Sequence, residues 1–515
     1  MANQTNVKRM AKNTMALYFR MIFLLVVSFY TVRVILQVLG AEDYGLYNVV
    51  AGFVSMFGVI TDVLINAAQR YFAFNLAMHN WEKLNKMFSL VLGTIMLFVV
   101  VLFIMSETFG LWFVFKCLVI PSTRLYASVI VYEISLFSLF ITLLASPLTA
   151  LLVADENLSI YAIISVGEGI LKLLIVYALL VVNEDKLILY AMLLLGVTIL
   201  VQGSYCLYCK KKYKKLSFRL YTKLSDYKEV FAFINWNLFG AGSLMLRGQG
   251  VNIVMNLFFG PVVNAARGIA NQSSNVVVSF ASNFMRAVNP QITKAYATGN
   301  REYFLQLIDT GSKLSFYLLF VVALPFMMNV HYVLSLWLVN PPEYSELFIV
   351  LVLIDALLSN TTQPLCTALQ SIGKLKEYQL VVGGVFFLNL PLAYIALLIV
   401  PNPWIPFIVT IMISIIGGYL RMWSLKHVYP FSLIDYVKNV CGPTLLVGSL
   451  SAIISYMFFS SAESLLQLIV YVFATITVSI VIIYIGGLNR REQKTILTLL
   501  PIQKFTSRIR LNHLD

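Results

Sequence analysis

The chain is poor in charge, in histidine and in cysteine, and each shortage excludes a class of chemistry. Charged residues make up only 12% of the 515 residues, whereas about a quarter is usual in soluble domains. The 4 histidines are scattered over separate connections and the tail, so they lack the spacing of metal ligands. Among the 5 cysteines, Cys206 and Cys209 form an isolated C-x-x-C without the second pair of a zinc site. We therefore expect no metal and no other cofactor.

Apolar sequence, in contrast, is abundant. Hydrophobic residues make up 60% of the chain, and the mean hydropathy is +0.84. A transmembrane helix needs about 20 predominantly apolar residues. Stretches of that length recur at roughly 15–39, 46–67, 88–115, 125–153, 158–182, 187–208, 230–258, 262–290, 306–328, 347–371, 378–400, 404–424, 437–459 and 465–487. The sequence therefore predicts an all-α polytopic membrane protein with about 14 transmembrane helices.

Lysine and arginine are concentrated on alternate connections between these spans. The segment 209–229 and the tail 488–515 are the most basic parts, and the segment before the first span is also basic. Because positive residues remain on the cytoplasmic side, we expect both termini in the cytoplasm. The same bias explains the net charge of +14. We therefore expect contact with anionic membrane lipids and no binding to nucleic acid.

One predicted span, 262–290, carries a polar stripe. On a helix with 3.6 residues per turn its polar residues fall within an arc of about 120°. They are Asn264, Arg267, Asn271, Asn275, Ser279, Ser282, Arg286 and Asn289. An arginine that faces lipid at the bilayer centre costs about 2.5 to 3.5 kcal/mol. We therefore expect the stripe to line a wet, cationic cleft for an anionic substrate, which its arginines and asparagines contact.

Other polar residues within the spans are candidates for the same cleft. Arg33 lies deep in the first span, and Asn66 lies in the second. Arg20 is close enough to the cytoplasmic face to extend to it instead of facing the cleft. Arg247 lies off the polar face of its own helix. The sequence therefore does not decide whether Arg20 and Arg247 face the cleft.

Single carboxylates within the spans allow two interpretations. Asp62, Glu133 and Asp355 are either salt-bridge partners of the arginines or groups that take up H⁺ or Na⁺. Asp62 is the first candidate for ion coupling because it shares a helix face with Asn66. The membrane potential alone would also favour outward movement of an anion, by about 2.3 kcal/mol per charge per 100 mV.

Two pairs of opposite charge are spaced four residues apart within predicted helices. Glu168 precedes Lys172 in the fifth span, and Asp309 precedes Lys313 in the ninth. Side chains at this spacing are neighbours on a helix surface. We expect each pair to be neutralised within its own helix.

The sequence repeats weakly at a distance of 220 residues. Gly40 corresponds to Gly260 and Asn80 to Asn300, and the second span corresponds to the span with the polar stripe. Internal repeats of this kind are typical of transporters. The expected organisation is two six-helix bundles at 1–208 and 230–425, a basic cytoplasmic linker at 209–229, two additional transmembrane helices at 426–487 and a basic cytoplasmic tail at 488–515.

Two short motifs carry a family resemblance. LGAEDYGLY at 39–47 and LQSIGK at 369–374 resemble segments of bacterial polysaccharide flippases, in the multidrug/oligosaccharidyl-lipid/polysaccharide exporter superfamily. The resemblance implies a MATE-like, V-shaped pair of bundles that works by alternating access in the bacterial inner membrane. It also implies a polyprenyl-diphosphate-linked oligosaccharide as the substrate, destined for O-antigen of lipopolysaccharide or for capsule. A polysaccharide polymerase and other assembly proteins are the implied partners.

Two other functions compete with a flippase. A multidrug or cation antiporter of the same fold would need carboxylates in its cleft, whereas arginine is in excess there. A membrane polymerase or ligase of glycans would carry arginine and histidine in a large periplasmic loop. The longest such connection, 329–346, has only His331, Glu343 and Glu346 as acidic or basic groups. We therefore expect a transporter and not an enzyme.

Overall fold

The computed structural model describes residues 2–78, 80–155, 157–182, 185–219, 221, 239–338, 340–459, 462–490 and 492–493. Some side chains within these ranges, among them those at 2–22, 59–67 and 286–287, lie outside this description. The first helices are α1 (Ala2–Ala77), α2 (Trp81–Met105), α3 (Leu111–Lys116), α4 (Leu125–Ala154), α5 (Leu158–Val181), α6 (Lys186–Lys212), α7 (Val251–Phe259), α8 (Pro261–Ala297) and α9 (Arg301–Met328).

The remaining helices complete an all-helical chain. They are α10 (Val330–Trp337), α11 (Ser345–Thr361), α12 (Gln363–Ile372), α13 (Leu375–Tyr378), α14 (Gly384–Phe387), α15 (Asn389–Ile399), α16 (Ile405–Val428), α17 (Leu433–Tyr436), α18 (Gly442–Phe458) and α19 (Leu465–Ile482). Several join end to end through π-helical turns, such as Ser106–Gly110 and Leu246–Gly250. The described residues contain no β-strand.

Ten helices among the described residues are long and apolar enough to cross a membrane. The other predicted spans fall on the two halves of α1, on 230–258, which is only partly described, and on α8 with its polar stripe. The predicted all-α membrane fold is confirmed. The number of 14 spans remains a prediction.

One backbone feature recurs at the distance of 220 residues that the sequence repeat predicts. Gly40 divides α1 with φ 77° and ψ 171°, and Gly260 separates α7 from α8 with φ 75° and ψ −172°. This conformation is essentially restricted to glycine because a Cβ atom would be strained there. Two glycines 220 residues apart therefore make the same bend between consecutive helices.

The next helix in each half, α2 or α9, begins at a matched asparagine cap. The side chain of Asn80 accepts a hydrogen bond from the Lys83 amide at 3.0 Å, and Asn300 accepts one from the Tyr303 amide at 3.1 Å. Their backbone angles are similar, with φ −90° and ψ 83° for Asn80 and φ −78° and ψ 85° for Asn300. An asparagine cap contributes about 1 kcal/mol to a helix. The same start signal therefore opens α2 and α9.

The beginning of the basic linker is tied to the turn after α4. The Asp155 carboxylate accepts hydrogen bonds from Lys212 Nζ at 2.7 Å and from the Tyr213 hydroxyl at 2.8 Å. Burial raises the pKa of the Asp155 carboxyl, but these hydrogen bonds, the positive charge of Lys212 and a hydrogen bond from Asn157 together hold the pKa below its ordinary value. Further along, Asn85 in α2 donates to the Lys215 carbonyl at 2.9 Å. The linker therefore begins in a defined path.

A buried ion pair fastens the C-terminal segment. Lys313 of α9 contacts Glu492 with Nζ and Oε2 2.5 Å apart, and their side chains are only 4% and 5% exposed. Lys313 thus pairs with a residue after the last helix and not with Asp309 as expected. Asp309 instead accepts a hydrogen bond from Asn439 at 3.4 Å. Pairing across the fold fixes the last described residues onto α9.

The chain divides into two compact units. The first comprises Met1–Ala270, Ser335–Phe348 and Gly383–Thr410, and the second comprises Asn271–Leu334, Ile349–Val382 and Ile411–Asp515. The first unit thus includes α1 to α7 and the first turns of α8. The predicted organisation into bundles at 1–208 and 230–425 remains a prediction.

Replacement of either bend glycine should destabilise the protein through the backbone alone. A Cβ at Gly40 or Gly260 would meet no atom within 4 Å, yet both residues have positive φ. Gly40→Ala and Gly260→Ala should each cost about 1–3 kcal/mol, seen as a lower melting temperature of the purified protein in detergent. Gly196→Ala in α6, also with open space and without positive φ, is the matched control and should melt like the wild type. Equal melting of all three variants would contradict this account.

Candidate functional site

The stripe begins with a buried chain of amides in the first unit. Asn264 in α8 is completely buried, and its Nδ2 donates to the backbone carbonyl and to the side-chain oxygen of Asn252, both at 2.7 Å. Asn252 in α7 donates in turn to the carbonyl of Asn48 in α1 at 3.2 Å. Three helices are therefore joined by amide hydrogen bonds at this point. In this conformation Asn264 binds protein and does not line a wet surface.

Arg267, one turn further along α8, is also enclosed by protein. Its side chain donates to the Gly248 carbonyl at 2.7 Å and contacts the Met255 sulfur at 3.3 Å. The guanidinium lies 5.3 Å from the centre of the Phe407 ring, and the residue is only 6% exposed. Gly248 belongs to a π-helical turn, where hydrogen bonding departs from the usual helical pattern. Arg267 thus stabilises the approach of α7 to α8.

Arg247 and Arg33 are less enclosed. Arg247 is half-buried and lies 4.9 Å from the centre of the Phe386 ring, and its carbonyl accepts a hydrogen bond from Asn389 at 3.3 Å. Arg33 is also half-buried, and its Nη1 donates to the Leu336 carbonyl at 3.2 Å. Both residues are therefore partly accessible to solvent.

The rest of the stripe belongs to the second unit and is more open. Asn271 is half-buried and Asn275 is exposed. Asn289 is held in place because its side-chain oxygen accepts a hydrogen bond from Thr367 at 2.9 Å. Asn275 is therefore the stripe amide whose surroundings best match the prediction of an accessible polar surface.

Four predicted site residues have side chains outside the described part of the structure. They are Arg20, Asp62, Asn66 and Arg286. Their roles in the cleft or in ion coupling remain predictions.

Asp355 joins a polar network within the second unit. Its carboxylate accepts a hydrogen bond from Ser414, whose hydroxyl also contacts Ser359 at 3.4 Å. Arg421 donates to the Thr362 hydroxyl at 2.8 Å and to the Ser359 carbonyl at 3.3 Å. We did not select Arg421 from the sequence, although an arginine inside the apolar stretch 404–424 was a usable signal. The network links α11 to α16, with Ser414 and Ser359 between the Asp355 carboxylate and the Arg421 guanidinium.

Glu133 is half-buried in α4 and has another carboxyl beside it. Glu107, in the π-helical turn after α2, is a neighbouring acidic residue. Two carboxyls can share one proton in such an arrangement.

Groups of three or more metal-ligating side chains are absent from the described residues.

The geometry is that of a membrane protein with known relatives in fold. Residues 245–395 match the MatE family model, whereas none of the curated proteins matches the chain. The lipid II flippase MurJ, in an inward closed conformation, superposes with a TM-score of 0.66 at 15% identity over 91% of this chain and 97% of that one. The chain has the fold of MATE transporters and MurJ.

Two other structures extend the MATE likeness. An inward-facing MATE multidrug resistance transporter gives a TM-score of 0.63 at 14% identity and covers 79% of this chain and 94% of its own. The MATE multidrug transporter DinF-BH, in a ligand complex, gives 0.60 at 16% identity and covers 81% of this chain and 95% of its own. The predicted MATE-like fold is thereby confirmed. The matched structures are named as transporters and a flippase.

Arg33 and Arg267 should respond differently to removal. Arg267→Ala removes the hydrogen bond to the Gly248 carbonyl and leaves a cavity where a side chain only 6% exposed contacts Met255 and Phe407, which should cost about 1–3 kcal/mol. Arg33→Ala removes a half-buried group and should cost less than about 1 kcal/mol. Melting of both purified variants in one detergent checks the difference. If Arg33→Ala is the less stable of the two, the structural role assigned to Arg267 is wrong.

Proposed function

We propose that the protein is a flippase that moves a polyprenyl-diphosphate-linked oligosaccharide, a repeat unit of O-antigen or capsule, from the cytoplasmic to the periplasmic leaflet by alternating access. The main support is the share of this chain that each solved structure covers. The MurJ structure covers 91% of this chain, and MATE structures such as DinF-BH cover about ten percentage points less, 81% in that case. Ten per cent of 515 residues is about 52 residues.

That difference is close to the length of the two C-terminal spans. Leu433–Phe458 and Leu465–Gly487 contain 26 and 23 residues. MurJ is described by its name as a flippase of lipid II. A lipid-linked substrate is therefore the better hypothesis for a chain that carries these additional helices.

The charges of the membrane helices agree with an anionic head group. A diphosphate has about two negative charges, and the planar guanidinium of arginine binds phosphate oxygens through two parallel hydrogen bonds. Arg33 and Arg247 are half-buried cations in the first unit. We assign Arg33 the first contact with the diphosphate, and Arg247 a supporting one. Asn271 and Asn275 then serve as hydrogen-bond partners of sugar hydroxyls.

The candidates outside the described side chains complete the proposal. Arg286, Arg20 and Asn66 are further substrate contacts, while Arg267 and Asn264 join helices within the first unit. The chain would lie in the bacterial inner membrane with both termini in the cytoplasm, bundles at 1–208 and 230–425, and two more helices at 426–487. The linker 209–229 and the tail 488–515 would rest on anionic lipids, beside a polymerase and other assembly proteins.

Multidrug export is the second candidate function. It is favoured by the match of residues 245–395 to MatE and by the multidrug transporters among the fold relatives. A cationic drug would require a net negative cleft. The carboxyls of Glu107 and Glu133 in the first unit are the groups that would serve it.

Deletion of the gene should trap lipid-linked repeat units on the cytoplasmic side and remove surface polysaccharide. Arg33→Ala should reduce polymer export at least about tenfold at normal protein abundance, because a charge-assisted phosphate contact is worth about 1.5–3 kcal/mol. Arg33→Lys should recover part of the export because the positive charge remains, while the two parallel hydrogen bonds of the guanidinium are lost. Lys374→Ala, at an exposed side chain, is the control and should export normally. Normal surface polysaccharide together with greater drug sensitivity in the deletion strain would contradict the flippase function and support drug export.

Ion coupling is assigned to a carboxylate that exchanges H⁺ or Na⁺ between conformations. Asp62, Glu133 and Asp355 are the candidates, and the Ser414 hydrogen bond to Asp355 would be lost or reorganised on protonation. The change Asp355→Asn should therefore slow turnover and alter its dependence on pH or Na⁺ in vesicles, while substrate binding stays normal. Wild-type turnover and ion dependence in Asp62→Asn, Glu133→Gln and Asp355→Asn alike would mean that these carboxylates are structural and that coupling lies elsewhere.

A further inference from the structure

Two adjacent cavities lie inside the first unit, apart from the stripe of α8. The larger has a volume of about 560 Å³ and lies between α1, α4, α5 and α6. The smaller has a volume of about 420 Å³ and lies between α1, α5 and α6. Small-molecule sites usually measure about 300–1,000 Å³. The larger cavity, here named the hydroxyl pocket, is lined by polar side chains that include Ser55, Ser138, Thr142, Thr198, Gln202, Glu168 and Lys172.

An ion pair lies on the wall that the two cavities share. Glu168 Oε1 and Lys172 Nζ are 2.6 Å apart, and the side chains are 35% and 43% exposed. This is the pairing expected from their spacing. Glu168 is ten residues from the start of α5, which places it about 15 Å along the helix. Charges at such depth face water or protein instead of lipid, so the pair supplies polarity to the pocket without net charge.

The hydroxyl groups of the pocket are arranged as hydrogen-bond acceptors. Thr142 donates its hydroxyl hydrogen to the Ser138 carbonyl at 2.8 Å, and Thr198 donates to the Leu194 carbonyl at 3.0 Å. Ser55 does the same toward its own helix at 2.7 Å. Because each hydrogen is already used, the oxygen offers lone pairs to the cavity. The pocket therefore presents several acceptors on small side chains.

Unsatisfied polar atoms support a ligand at this place. The side-chain oxygen of Gln202 is buried and has no hydrogen-bond partner in the described part of the structure. Thr31, on the wall of the smaller cavity, also has a buried hydroxyl without a partner among the described residues. Buried polar groups without partners cost about 1–3 kcal/mol each. Each of these atoms would gain from a hydrogen bond to a hydroxyl-rich ligand that reached it.

The chemistry of the wall selects the ligand class. A phosphate would need net positive charge, but the lysine is already neutralised by the glutamate. A planar cationic drug would favour aromatic faces and net negative charge, and Tyr47 is the aromatic residue of the larger pocket. A neutral ring with many hydroxyl donors satisfies the acceptors, and the remaining lysine hydrogens can donate to ring oxygens.

We propose that the hydroxyl pocket binds an uncharged sugar ring of the transported glycan. This inference rests on the proposed flippase function and assigns to the same substrate a second station, separate from the arginines that meet its diphosphate. The acceptors are placed on several helices of one unit, so the sugar would be recognised by hydrogen bonds and the diphosphate by charge.

The test is saturation-transfer NMR of N-acetylglucosamine and galactose with the full chain in lipid nanodiscs. The wild type should give sugar signals, and Thr142→Val/Thr198→Val together should weaken binding about tenfold because two acceptors are lost. Thr477→Val removes a hydroxyl with the same local bond, to the Phe473 carbonyl at 2.8 Å, outside the pocket. This control should bind sugar normally. Ala51→Phe fills the pocket without loss of a polar group and should abolish binding, and melting temperatures identify any variant that is not folded.

The outcomes separate this inference from the flippase function. Wild-type protein that supports polymer export but gives no sugar signal overturns the pocket, and so does normal binding by folded Ala51→Phe. A second outcome combines two results: the pocket variants lose sugar binding, and deletion of the gene leaves surface polysaccharide unchanged. This outcome supports sugar binding in the hydroxyl pocket and contradicts the flippase function. Displacement of the sugar by a cationic rhodamine dye at equal concentration overturns both.

Discussion

Every polar group that enters the bilayer must find a partner in protein or water, because lipid offers none. At three positions the partner is a group on another helix or helical turn. Asn264 bonds to Asn252, Arg267 bonds to a π-turn carbonyl, and Lys313 pairs with Glu492. These contacts determine which helices lie together within each unit. The polar groups that remain accessible are then available for a substrate.

The repeated bend gives those contacts their positions. Gly40 and Gly260 have nearly the same φ and ψ, so the helix after each bend leaves in the same local geometry. Asn80 and Asn300 then cap the next helix in both halves. We propose that two sites in this fold bind different parts of the substrate. Half-buried arginines bind the diphosphate, and a pocket without net charge binds a sugar ring.

Hydropathy and spacing predicted the all-helical membrane fold, the 220-residue repeat and the Glu168–Lys172 pair because these depend on local sequence. Hydropathy and spacing do not predict contacts between residues that are far apart in the sequence. The period of the stripe gives the angle of Arg267 around α8 but not the groups opposite, so its burial against Gly248 was unexpected. Lys313 was assigned to Asp309 by spacing, whereas its partner Glu492 is 179 residues away. Arg421 was overlooked because a single residue forms no periodic pattern.

An anionic, lipid-linked glycan as the substrate is the claim on which the proposed function depends. Its most direct test is reconstitution of the purified protein in liposomes with a fluorescent polyprenyl-diphosphate disaccharide, in which a membrane-impermeant quencher reports the label in the outer leaflet. We expect active protein to move the label between leaflets, faster when the potential is negative on the side of origin, and inorganic pyrophosphate in excess to slow the movement. A rate equal to that of protein-free liposomes, in preparations that transport a cationic dye, would contradict the claim.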